Sequence, residues 1–134
     1  MEIREYRKYR EEEIRRLYTA VGWTAYTEDM PTLEQGIRNS LLVLGAYEDG
    51  ELAGLIRAVG DGATVIFIQD ILVLPEKQHL GIGTALLQSV LDRFPEVRQI
   101  ELTTDNTPET AAFYRSMGFR EFSEIGCCGF MRNP

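Results

Sequence analysis

The stretch Gln78-His79-Leu80-Gly81-Ile82-Gly83-Thr84 is rich in glycine, follows an apolar β-branched run and opens an amphipathic segment. At a helix N-terminus the first amides lack intrahelical acceptors and carry the positive end of the dipole, and glycines let an anion approach the main chain. A phosphate-binding turn is one reading; the other is that Gly81 and Gly83 only shape a tight strand-to-helix connection. Two competing phosphate motifs are excluded directly. The dinucleotide fingerprint needs Gly or Ala where Leu86 stands, and no Gly-Lys-Ser/Thr triplet of a Walker loop occurs in the chain. A second group runs from Asp105-Asn106-Thr107-Pro108 to Phe113-Tyr114 and closes on Gly118-Phe119. On a helix Phe113 and Tyr114 point different ways, so one packs on the core while the other reaches the space beside the preceding strand's end, where ligands of open α/β sheets gather. Asp70 is a carboxylate inside an apolar run, costly to bury without a partner, and capping a loop or pairing with Arg57 would satisfy it. Cys127 and Cys128 are adjacent, too close to staple a loop, and two thiols cannot complete a zinc site, so neither a disulfide framework nor a metal is expected.

These residues must be carried by regular elements, and the hydrophobic spacing supplies them. Glu2 to Tyr6 alternates as a first strand, and Glu11 to Val21 places Ile14, Leu17, Tyr18 and Val21 on one helical face. A polar loop runs to Pro31, then Leu33, Ile37, Leu41 and Leu42 predict a second helix over TLEQGIRNSLLVL. VLGAYE and ELAGLIRAVG flank Asp49-Gly50, the signature of a two-residue hairpin turn. After Gly60-Asp61-Gly62, the run ATVIFIQDILVL is too apolar for an edge and predicts the central strand. Gly81 to Phe94 reads as a helix, VRQIELTTD as a strand, and Pro108 to Met117 as a short helix with Thr107 as N-cap. Phe119–Phe122 and Cys127–Arg132 are candidate closing strands, Cys127 and Cys128 being expected as small buried side chains. The order βααβββαβαββ is a mixed α/β domain with helices on both faces.

At 134 residues one domain over 1–134 is expected, and 44% apolar with 26% charged residues excludes disordered and coiled-coil classes. A net charge of −7 disfavours nucleic acid or an anionic membrane as partner and suits a cationic substrate. No apolar run approaches the roughly 18 residues of a membrane span, and MEIREYRKYREEE lacks the apolar middle of a signal peptide, so a cytoplasmic protein is expected.

Gln78, Gly81 and Gly83, following ILVLPEK, match a Gln/Arg-x-x-Gly-x-Gly/Ala turn between strand and helix, and Phe113-Tyr114 before Gly118-Phe119 matches a second landmark. With both, the sequence resembles the GNAT superfamily of acyl-CoA-dependent N-acetyltransferases, from about Val43 onward and more loosely over the N-terminal helices, where LYTAVGW is similar to short bacterial members. The second landmark departs from its commoner version, which has Asn seven residues before the tyrosine: Thr107 stands there and Asn106 lies one earlier.

The resemblance implies a GNAT fold with a mostly antiparallel sheet of about six to seven strands, a splayed parallel pair and helices on both faces. It implies acetyl-CoA as cosubstrate, with no metal. The pyrophosphate would lie on the amides of His79, Leu80, Gly81, Ile82, Gly83 and Thr84, with Gln78 in the same turn, and the pantetheine arm would pair like a strand with Ile71, Leu72 and Val73. Asn106 and Phe113 would lie on the cofactor side. The Val73 amide would stabilise the oxyanion, and Tyr114 would protonate the departing thiolate. Attack is direct in this family, so the cysteines are not nucleophiles. An alkylammonium acceptor, with a pKa of about 10.4, must first lose a proton, for which Asp70 is the first candidate and Glu28 or Asp29 the next. For a small-molecule or peptide amine, one reading has Trp23, Tyr18 and Tyr26 lining an apolar acceptor pocket; the other is ordinary packing of aromatics near a helix end. Dimers are frequent among such proteins, which extends the expectation to a homodimer. The alternative is a non-catalytic acyl-CoA-binding or regulatory module.

Overall fold

A computed structural model describes residues 1–132. The chain divides into two compact units, Met1–Thr103 and Thr104–Pro134. The first contains β1 (Glu2–Glu5), α1 (Glu11–Ala20), α2 (Thr24–Thr27), α3 (Met30–Arg38), β2 (Leu42–Glu48), β3 (Glu51–Gly60), β4 (Val65–Val73), α4 (Ile82–Arg93) and β5 (Gln99–Leu102). The second contains α5 (Pro108–Ser116) and a 3-10 turn at Phe122–Ile125. Among the described residues no helix is long and apolar enough to cross a membrane.

Among the described residues five strands form one sheet in the order β1-β2-β3-β4-β5, antiparallel except for the parallel pair β4 and β5. Two expectations are corrected here. The sheet has five strands rather than six or seven, and β3, not β4, is central. Leu52 through Ala58 on β3 are all buried, as a strand covered on both faces requires. One cover is α1 with α3: Ile14, Leu17, Tyr18, Leu33 and Ile37 cluster with Leu55 and Leu72. The other is α4, since a side chain at Gly54 would meet Ile82 and Leu86. Asp49 and Gly50 both take positive φ, 51° and 80°, as the β2–β3 hairpin demands.

The second helix ends at Arg38, short of the expected Leu44, because Leu42, Val43 and Leu44 are drawn into pairing with Ala58, Arg57 and Ile56. The loop read between the first two helices contains the extra turn α2. Neither closing strand forms. Glu121 and Glu124 make a capping box that starts a 3-10 turn, and Arg115 holds Glu124 at 2.9 Å, so the backbone there is helical. Cys127 and Cys128 are exposed rather than buried.

Candidate active site

The site begins with an irregularity in β4. This strand pairs with β5 only from Val65 to Ile68. On its other side Arg57 faces Asp70, but the next residue, Ala58, faces Ile68, so Gln69 is an extra residue: a β-bulge. The bulge reverses the side-chain phase. Leu72 and Asp70 share the α1/α3 face with Leu55 and Arg57, whereas Ile68 pairs with Ala58 on the opposite face. Just beyond, the Leu74 amide donates to the Ala53 carbonyl on β3 at 2.8 Å. Main-chain groups of successive residues in an antiparallel pair point to alternate edges, so Ile71 and Val73 turn theirs away from β3. There the Val73 carbonyl accepts a bond from Gln78 Nε2 at 3.1 Å.

Gln78 leads into the glycine turn. His79 and Gly81 both adopt positive φ, 64° and 86°, and Gly81 is the N-cap of α4 with no side chain to satisfy the first helical amides. The first bond into the helix runs from the Ala85 amide to the Gly81 carbonyl at 3.0 Å. Among the described residues no acceptor meets the amides of His79, Leu80, Gly81, Ile82, Gly83 or Thr84. Six successive donors without a protein acceptor, at a helix N-terminus with an open face at Gly81, fit an anionic group such as a diphosphate.

Asp70 is 3% exposed and Arg57 6%, and the two form an ion pair at 2.8 Å. The pairing foreseen as one way to satisfy Asp70 is thus present. Two phenols complete it: Tyr18 donates to Asp70 Oδ2 at 2.9 Å and Tyr26 to Oδ1 at 3.0 Å. The Tyr26 oxygen accepts in turn from Arg57 Nη2 at 3.3 Å and Gln69 Nε2 at 3.2 Å, while Arg57 Nη1 reaches Ser40 Oγ at 3.4 Å. Burial alone would lower the Arg57 pKa, but the charge and hydrogen bond of Asp70 outweigh it and the net shift is upward. Burial first, and then the Asp70 charge, raises the Tyr18 pKa far above its ordinary value, so its phenol remains a donor.

Tyr18 is wholly buried and stacks edge-on against Trp23 and Tyr26 at 5.9 and 5.3 Å, so it belongs to the core rather than to an open pocket. Trp23 and Tyr26 are partly exposed. Asp29 caps α3 through the Thr32 amide and hydroxyl, and Glu28 is exposed at the end of α2. Sequence reasoning missed the Gln69 bulge and the Tyr18 bond. A carboxylate in an apolar strand signals that partners exist, but nothing local names two tyrosines far away in the chain.

In the second unit Thr107 caps α5 by accepting the Thr110 amide, Pro108 follows it, and the Phe119 amide returns to the Tyr114 carbonyl at 3.0 Å. The Phe113 and Tyr114 rings meet edge-on at 4.9 Å instead of turning apart, and Phe119 lies 6.0 Å from Tyr114. Burial raises the Tyr114 pKa, with a hydrogen bond from Thr104 opposing it, so the phenol is protonated at neutral pH. Asn106 is exposed just ahead of the cap.

The model of the acetyltransferase (GNAT) family matches residues 6–119, across both units. The chain belongs to this family. A GNAT family acetyltransferase of Streptococcus pneumoniae is 38% identical with a TM-score of 0.90, over 99% of this chain and 97% of that one. An uncharacterized N-acetyltransferase (ycf52) of Pyropia yezoensis is 22% identical over 111 residues, 80% of this chain and 63% of the relative. The ribosomal-protein-S18-alanine N-acetyltransferase of Escherichia coli shares the fold alone, with a TM-score of 0.74 and 21% identity over 90% of this chain and 77% of that one. The chain spans 63% of the length of the first curated relatives it matches.

Proposed function

We propose that this chain transfers the acetyl group of acetyl-CoA to a primary amine of a small molecule or peptide by direct attack. The observation that carries the reading is the run of open amides from His79 to Thr84 following a strand whose Ile71 and Val73 main-chain groups face away from β3. The cosubstrate supplies an activated acyl group, and the chain's own groups do the rest. The loop amides bind the diphosphate, and the edge from Ile71 to Val73 aligns the pantetheine arm. The Val73 amide donates to the carbonyl oxygen as charge develops on it, an interaction stronger in the transition state than in the ground state.

Tyr114 assists the leaving thiolate. A phenol whose pKa burial raises is a weaker acid than a thiol of about 8.5, so it keeps its proton and hydrogen-bonds the sulfur as the C–S bond breaks, and the proton that the attacking nitrogen sheds on collapse, carried by Glu28 or water, completes the thiol. Of the three carboxylates considered as base, Asp70 is held by Arg57 and two phenols, and Asp29 caps α3. We assign Glu28 the acceptor's proton, directly or through water, with Trp23 and Tyr26 beside the amine.

The test is incubation with acetyl-CoA and a panel of alkylamines and peptides, following thiol release and the mass of the product. Acetylated amine with stoichiometric thiol is expected. Acetyl-CoA that binds but is never turned over would leave the chain a non-catalytic acyl-CoA-binding module.

A further inference from the structure

We propose that Arg57, Asp70, Tyr18 and Tyr26 form a positioning unit that holds the Gln69 bulge in register and thereby fixes the main-chain edge from Ile71 to Val73; this rests on the acetyl-transfer reading of that edge.

Every polar side chain at the irregularity is bonded into this cluster. Gln69 is the extra residue and donates to Tyr26; Asp70 is the next and accepts from Tyr26, Tyr18 and Arg57; Arg57 is the residue directly opposite. Tyr18 belongs to α1 and Tyr26 to α2, so the strand is tied to two helices at the point where its register changes. A one-residue slip of the bulge would move Asp70 to the other face and leave the Arg57 guanidinium buried without its carboxylate. The same slip would turn the Ile71 and Val73 amides toward β3 and present Leu72 at the free edge instead. The cluster therefore penalises the register in which the donor edge is wrong.

Stability alone does not account for the arrangement. Apolar pairs of similar volume often replace buried ion pairs at no loss of stability, and specifying register is the best-attested use of such pairs. These four act on the acyl donor through the backbone of β4; Tyr26 also stands beside the proposed amine, so its variant is read on the acetyl-CoA constants at saturating amine and on the NMR contact.

Two variants test this, the double substitution Arg57→Met with Asp70→Leu, and Tyr26→Phe. Two readouts apply: the cross-strand Hα–Hα contact between positions 56 and 71, the non-hydrogen-bonded pair next to the bulge, by NMR on the free protein, and kcat and KM with acetyl-CoA. The double variant is expected to keep its helix content, to lose a few degrees in Tm because the buried Tyr18 hydroxyl is left without its acceptor, to lose the unique 56–71 contact, and to lose on the order of 10- to 100-fold in kcat/KM for acetyl-CoA. Tyr26→Phe is expected to move the same constants in the same direction by severalfold, and it decides the matter if the double variant does not fold. Unchanged pairing together with wild-type constants in the folded variants overturns the proposal. A wild-type chain that binds no acetyl-CoA overturns the transfer reading itself, and the NMR arm then still reports whether the cluster holds the bulge.

Discussion

In the proposed reaction Gly81 would act through the main chain and Tyr114 through its hydroxyl, so their substitutions separate main-chain from side-chain contributions. At Gly81 the φ of 86° is left-handed and no atom lies within 4 Å of where a Cβ would sit, so alanine there is strained rather than crowded. That strain is about 1–2 kcal/mol for an L-residue. Gly81→Ala is expected to lose roughly 1 kcal/mol of unfolding free energy in urea and to weaken acetyl-CoA binding severalfold by calorimetry, because relaxing φ turns the loop amides. Tyr114→Phe removes one oxygen and keeps the ring contacts with Phe113 and Phe119. Its kcat should fall by about 10²-fold with acetyl-CoA affinity near wild type. Equal kcat in the two proteins would take the phenol out of the reaction.

The turn between β3 and β4 sets where β4 begins, and Asp61 holds it. Its carboxylate accepts from the amides of Ala63 (2.8 Å), Thr64 (2.7 Å) and Val65 (3.1 Å) and from the Thr64 hydroxyl (2.5 Å). These bonds favour the ionised form and hold its pKa well below the usual carboxylate range, the Thr64 hydroxyl contributing most. A depressed folded pKa means a contribution that is complete above the unfolded pKa of about 3.9 and lost as pH falls below it toward the folded value. The stability gap between wild type and Asp61→Asn should therefore be constant from neutral pH to about 5 and narrow below 4. A carboxyl ¹³C titration of Asp61 with an ordinary midpoint would refute this. The turn was legible in the sequence because Gly60-Asp61-Gly62 acts on its own neighbours, and so were the Asp49-Gly50 hairpin, the glycine loop and the Thr107-Pro108 cap. What escaped depends on distance. Tyr18 and Asp70 are 52 residues apart and Tyr26 and Asp70 are 44 apart, and the Gln69 bulge exists only once β3 and β4 are in register. The first closing strand failed for the opposite reason, since a local capping box at Glu121 and Glu124 overrode an apolar pattern that looked like strand; nothing in the structure explains why Cys127–Arg132 is not a strand.

The whole chain carries a net charge of −7, and the proposed reaction joins it to one anion and one cation. The acetyl-CoA phosphates meet a repulsive long-range field and are held at short range by the loop amides, whose hydrogen bonds salt screens little. An alkylammonium acceptor, with a pKa of about 10.4, arrives protonated at neutral pH and is drawn in by the same field before it gives up its proton. The two substrates should therefore respond to ionic strength with opposite signs. Raising salt from about 0.02 to 0.3 M shortens the screening length from roughly 20 Å to 6 Å. Over that range kcat/KM for the amine is expected to fall severalfold while that for acetyl-CoA holds or rises, measured with each partner varied against saturating amounts of the other. A rise for both would mean that the acceptor is not captured as a cation, and the anionic surface would then disfavour both substrates alike, placing all discrimination in the short-range contacts of the loop and the β4 edge.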